Sequence, residues 1–278
     1  LTLAGGVSGS SDLFLSTEAD GELAVSGGPI TLPSRKICVY GEGSVLLSGS
    51  GHTYGTIEVA GPGMRLCMGA RNALSPSSTL SVGAAYSAMG IVDLCGYDQT
   101  VARLVRGTTS TSTNRIVTSS SPATLTVNET SSSPIYFNGQ LTGALGLAKG
   151  ESGNLTLWGA YNTYTGATAV NGGTLEVGAA SRLGFSPLVT VSSGTLRLLN
   201  PAALADNAVV RVARGGLIHL QSGTDTVSVL YLDGKRQRRG TYGSSASGAK
   251  YTSDVYFSAG GSGVIDVLHG PECILLVK

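Results

Sequence analysis

The side chains that could do chemistry in this chain are few and scattered. Its 278 residues include 17 Asp and Glu, 3 His and 4 Cys. Acid/base cleavage of a glycan needs two converging carboxylates, or a carboxylate-bound metal beside an Arg or Lys base. The sequence contains no Asp-Asp pair and no Asn-x-Asp triplet. His52, His219 and His269 stand alone, outside any metal-ligand spacing. Ser is abundant, yet no Gly-x-Ser-x-Gly elbow precedes a helical stretch. The chain therefore reads as non-enzymatic, with no cofactor and no metal.

Charge is more informative than catalysis. Lys235, Arg236, Arg238 and Arg239 form the densest cluster. Three readings fit it: a solvated hairpin tip, a contact for an acidic glycan, or a contact for the acidic end of another copy. Residues 1–60 hold Arg35 and Lys36 against Asp12, Glu18, Asp20, Glu22, Glu42 and Glu58, a net of −4 that leaves +5 for the remainder. The overall charge of +1 gives no support to nucleic-acid binding, which needs a strongly basic face. No apolar run approaches the roughly 18 residues of a membrane span. Leu1 is not a Met, so the chain reads as a processed or trimmed product.

The elements that must position these groups are short strands. Apolar residues alternate in runs such as Val45-x-Leu47, Leu80-x-Val82, Leu155-x-Leu157, Val189-x-Val191 and Val210-x-Val212. Period two over three to five residues, bounded by Gly, Asn and Ser, predicts strands with one buried face. With 41 Gly and 41% hydrophobic residues, the chain is neither helical nor disordered. It also repeats itself. Ser44–Gly69 aligns with Asn154–Gly178, placing Thr53-Tyr54 on Thr163-Tyr164 and His52 on Asn162. A unit of that kind cannot bury its apolar side alone, so copies must stack. Spacing predicts coils of roughly 20–30 residues with three strands each, hence about ten coils. His52 is expected to cap a corner as Asn162 does, and Tyr54, Tyr161 and Tyr164 to seal an edge or, alternatively, to form a sugar-stacking platform. The Ser/Thr-rich stretch 106–122 reads as a polar coil in which Arg115–Thr118 is a thin rung. Asp233-Gly234 predicts a hairpin between Leu230-x-Leu232 and the strand at Gly240-Thr241-Tyr242.

Gly153–Gly178 (GNLTLWGAYNTYTGATAVNGGTLEVG) closely resembles the autotransporter passenger-associated repeat of exported bacterial proteins. Val92–Val101 and the segments 230–243 and 263–267 resemble companion modules, so the resemblance spans about residues 40–270. It implies an all-β, right-handed parallel β-helix (β-solenoid) outside the cytoplasm. The expected organisation is a solenoid over 1–228, a hairpin and end module over 229–270, and an apolar tail strand over 271–278.

An exported protein also meets the redox condition for disulfides. Cys38, Cys67 and Cys95 recur at nearly equal intervals, each close to one coil or a coil and a strand, and lie out of phase with buried neighbours. Outward-facing thiols are therefore expected. Four cysteines allow three connectivities. The pairing expected is Cys67–Cys95 within the chain and Cys38–Cys273 between subunits, the alternative being four unpaired thiols. Leu1 and Leu3 at one end, and Ile274, Leu275, Leu276 and Val277 at the other, are candidates for strand addition between copies, or for a self-cap. The function expected is an extracellular or cell-surface structural subunit of a surface matrix, adhesin or head-to-tail filament, with itself and acidic glycans as partners. A glycan-binding or glycan-cleaving β-helix is the alternative.

Overall fold

The computed structural model describes residues 1–83, 87, 89–106, 114–159 and 162–271. Among them there is no helix; the chain is a β-solenoid of about ten turns. Each coil crosses three faces, and strands pair in parallel with the coil before and after. The first face begins with Thr2–Leu3, Glu22–Val25, Ser44–Leu47, Arg65–Met68 and Gly90–Asp93. It continues into the leading halves of the two longest strands near mid-chain, Arg115–Val127 and Gln140–Lys149. Those strands turn a corner, with a register shift between Ser119 and Ala123, and their trailing halves join the second face. Gly143 makes that bend possible: its φ is +71°, and a Cβ there would lie 2.4 Å from the Ser119 carbonyl oxygen.

Inward-pointing residues stack into ladders, as alternation requires. On the first face Leu23, Val45, Leu66, Val92, Val117 and Leu141 lie over one another. On the second, Val170, Val191, Val212 and Leu232 do so. On the third, Phe137, Leu157, Val177, Leu198 and Leu220 form the column. All of these are buried, and each contributes about 1.5–3 kcal/mol relative to exposure. Arg115–Thr118 is a rung of the first face, as expected, while residues 107–113 of the polar stretch lie outside the described residues.

The two sequence copies are offset by one face. In the first copy, Ser44–Leu47 and Arg65–Met68 are neighbours on the large sheet, with Thr53–Ala60 on another. In the second, Asn154–Leu157 and Thr174–Val177 pair on the five-stranded sheet, and Thr168–Val170 lies on the large one. The separation between the copies is therefore not a whole number of coils.

The hairpin is tighter than its sequence implies. Val229–Leu232 pairs antiparallel with Lys235–Arg236 across Asp233 (φ 49°) and Gly234 (φ 74°), the twin positive angles of a two-residue hairpin turn. The Gly240–Gly243 strand is not its partner. It pairs instead with Val264–Val267 and Tyr251–Thr252, in a four-stranded sheet that also takes in Thr224–Val227. A two-residue loop closes the ladder at once, and Gln237 N–H bonds the Leu230 carbonyl at 2.8 Å, which ends the ribbon before Gly240.

Candidate functional site

Several titratable side chains are turned into the solenoid as corner caps. Ile30 N–H donates to His52 Nδ1 at 2.8 Å, and Leu141 N–H donates to Asn162 Oδ1 at 2.9 Å. The two residues matched by the repeat thus do the same work, each for the coil below it. Gln99 accepts from Leu74 N–H, and Asp225 accepts from both Ala203 and Leu204 N–H. Burial lowers the His52 pKa and pushes Asp225 up to about 7, in spite of the N–H groups that favour its charged form. Lys149 occupies a core position between Val127 and Val170. Its ammonium donates to the carbonyls of Glu129, Gly150 and Glu151, and burial lowers its pKa. These groups satisfy backbone and line no opening. Tyr54 and Tyr164 are buried as well, Tyr54 accepting from Ser75 N–H and Tyr164 bonded to Thr168. They seal the interior and form no sugar platform; Tyr161 lies outside the described residues.

The cysteines fall on different faces. Cys38 alternates outward as expected but is not accessible: it is 3% exposed, stacked between Phe14 and Glu58 of adjacent coils and flanked by Tyr40. Large side chains on the outer surface cover it, which alternation along one strand does not reveal. Cys67 and Cys95 are half-buried on the first face, as expected, and both thiols are free in this structure. Strand register sets Asp93 beside Cys67, and Cys95 follows at a corner with φ 49°. The two thiols are neighbours, and burial, with Cys67 and Asp93 nearby, pushes Cys95 up to about 12. Burial also opposes the Asp93 carboxylate, but the Cys95 N–H and the Arg65 guanidinium outweigh it and hold its pKa down. Cys273 and the tail candidates Ile274, Leu275, Leu276 and Val277 lie outside the described residues. Leu1 is exposed and Leu3 packs against the core.

Two grooves remain. One, of about 220 Å³, runs up the third face over Asn154, Thr156, Thr174, Glu176, Arg197 and His219. Arg197 bridges to Glu176 at 2.8 Å, and the exposed pair Tyr136–Trp158 meets edge to face, 5.9 Å between centroids. The other, of about 460 Å³, lies between the basic hairpin and the end module. Lys235 and Arg236 form its ribbon wall, Arg238 follows, and Tyr242 and Tyr251 stack opposite at 4.8 Å. Arg211 sits 4.2 Å over the Tyr231 ring, and Tyr231 faces Arg236 across the hairpin. Sequence reasoning misses Arg211 and Tyr231, although their separation by a single coil is a usable signal.

Among the described residues no group of three or more His, Cys, Asp or Glu could hold a metal, and no helix is long and apolar enough to cross a membrane. A closed solenoid with capped corners and solvent-facing grooves defines the class of the fold, an all-β parallel solenoid. Residues 147–177 match the model of the passenger-associated-transport-repeat, so the chain carries an autotransporter passenger repeat, a structural and non-enzymatic element. Over 98 residues, 35% of this chain, the sequence is 37% identical to the adhesin BmaC autotransporter of Brucella suis biovar 1 (strain 1330). The matched stretch spans 3% of that relative's length. No solved structure matches.

Proposed function

We propose that the chain is a stretch of the surface-exposed solenoid of a secreted bacterial adhesin, with a structural rather than catalytic role. The observation that supports this reading most is the placement of the passenger repeat. Its strands pair in register with the coils on either side, Asn154–Leu157 on Ile135–Phe137 and Thr174–Val177 on Gly194–Leu198. The similarity to a Brucella adhesin supports it further. A rigid parallel stack suits a stalk that holds binding surfaces away from a cell, because each coil contacts only its neighbours and length grows with coil number.

Displaying the chain on a bacterial surface tests the proposal. Displaying cells should adhere to host-cell monolayers or matrix-coated plates more than cells carrying the empty display scaffold. Equal adhesion by both would sink it. Assembly into a matrix or filament is a finer form of the same proposal. Sedimentation of the purified chain should then show growth with concentration, lost when residues 272–278 are deleted; growth unaffected by the deletion would remove the tail from the assembly.

A further inference from the structure

We propose that the groove between the 229–236 hairpin and the Tyr242–Tyr251 pair binds an acidic polysaccharide, its sulfate or carboxylate groups on the arginines. This names a ligand class for the surface role above and rests on it.

Charge comes first. Residues 211–250 hold Arg211, Arg214, Lys235, Arg236, Arg238, Arg239 and Lys250 against Asp225 and Asp233, whereas the whole chain carries only +1. Asp225 is buried in its corner and does not face the groove. Among the described residues no carboxylate lies within ion-pair distance of the four hairpin cations; every recorded pair involves other residues. A solenoid that pairs Arg65, Arg103 and Arg197 with acids on adjacent coils leaves this cluster without them.

Geometry comes second. The two-residue turn fixes Arg236 opposite Tyr231, whose ring also carries Arg211 at 4.2 Å. Lys250 sits 5.3 Å over Tyr251, which stacks on Tyr242 with 28° between planes. Tyr242 is itself fixed, its hydroxyl donating to the Arg238 carbonyl at 3.0 Å. Arg211 and Lys250, held on aromatic faces beside the groove, add positive charge to it, and the guanidinium edges of Arg236 and Arg238 can meet an oxyanion with two N–H groups. The groove, about 460 Å³, has the size of a small-ligand site.

Chemistry selects the partner. No exposed apolar side chain stands at the groove to insert into a bilayer, as a membrane anchor requires, since Leu232 in its wall is 8% exposed. A protein partner would need an apolar anchoring pocket, and the wall offers cations instead. A polar chain of regularly spaced anionic groups matches that wall.

The test uses the purified chain with a heparin octasaccharide, a hyaluronan octasaccharide, neutral dextran, polyglutamate and phosphatidylserine vesicles. Both acidic oligosaccharides should bind near physiological ionic strength, more weakly as salt rises, and dextran should not. Arg236→Ala with Arg238→Ala should weaken them at least about tenfold, and the double Lys replacement less, because charge survives but the bidentate edge does not. Arg71→Ala, on a distant corner, should change nothing. Far-ultraviolet circular dichroism and thermal melts confirm that each variant is folded. Absence of oligosaccharide binding, binding unchanged in the double Ala variant, or polyglutamate or vesicles bound as tightly as the oligosaccharides would each overturn the assignment. Adhesion of displaying cells is scored separately: adhesion lost with oligosaccharide binding intact strikes the surface role, and the converse strikes this groove.

Discussion

The coils before residue 140 and those after it solve the same stacking problem with different regularity. In the first region the step from coil to coil is uneven: it is short where Ile57 lies over Ile37 and much longer where Ile91 lies over Arg65. Strands break register between Leu32 and Lys36 and between Ser119 and Ala123. In the second region the step is nearly constant, from Leu155 to Leu175, on to Leu196 and then to Ile218. The passenger repeat match falls at the start of the regular region. Constant coil length lets each turn reuse the same corner chemistry, and that reuse is what a repeat pattern detects. Irregular coils need individual devices, and the irregular region supplies them: the Cys67–Cys95 contact, the buried Asp93 paired with Arg65, and a histidine cap where an asparagine serves elsewhere.

The sharpest contrast lies between the caps. Asp225→Ala strands two buried N–H groups and should cost up to about 4 kcal/mol in a denaturant melt. Asp225→Asn keeps an acceptor, as Asn162 does, and removes the buried charge. The folded pKa of Asp225 is raised to about 7 from 3.8, so the native state holds a proton that the unfolded chain releases. Its share of stability is therefore fully present below about pH 4 and is lost as pH rises toward about 7. Asn at this position should flatten the fall, making the variant the more stable protein at pH 8; a wild-type profile flat across that window would show that Asp225 is charged throughout.

Oxidation probes the irregular region. We expect mild oxidant to join Cys67 to Cys95, with a loss of two hydrogens by mass spectrometry, and to stabilise the fold by about 3 kcal/mol for a loop of this length. Cys38, under Phe14 and Tyr40, should resist alkylation until the protein unfolds. Rapid labelling of Cys38 in the native state would contradict its burial.

Ion pairs extend the comparison. The Asp93 side chain is 2% exposed and that of Glu176 is 16% exposed. Arg65→Ala should therefore cost about 2 kcal/mol, by leaving a buried carboxylate with only its Cys95 N–H partner. Arg197→Ala should cost below about 1 kcal/mol. Equal costs would mean that burial does not distinguish the two regions. The other cap should show a smaller effect than Asp225: His52→Ala loses one acceptor and about 1–2 kcal/mol, and His52→Asn should restore most of it.

Much of this was legible in the sequence. Alternating apolar residues between Gly turns specify strands and corners locally, and their number implies about ten coils. Alignment of the two copies placed His52 on Asn162, and both cap a corner. The parts that were not legible depend on what lies one layer away. Cys38 alternates outward, yet Phe14, on the coil before it, covers it. Gly240–Gly243 follows a turn signal, yet finds its antiparallel partner at Val264–Val267.

The sequence by itself determined the kind of element and the buried side of most strands, because strand alternation and glycine turns act over a few residues. It determined the solenoid too, since such strands cannot bury an apolar side without a stacked neighbour. The tertiary structure decided which face each copy of the repeat occupies, which thiols touch, and which tyrosine lies between Arg211 and Arg236. Those outcomes rest on register between coils. Coil length is not constant here, as the Ile37–Ile57 and Arg65–Ile91 steps show, so a single slip of the corner changes every neighbour above it.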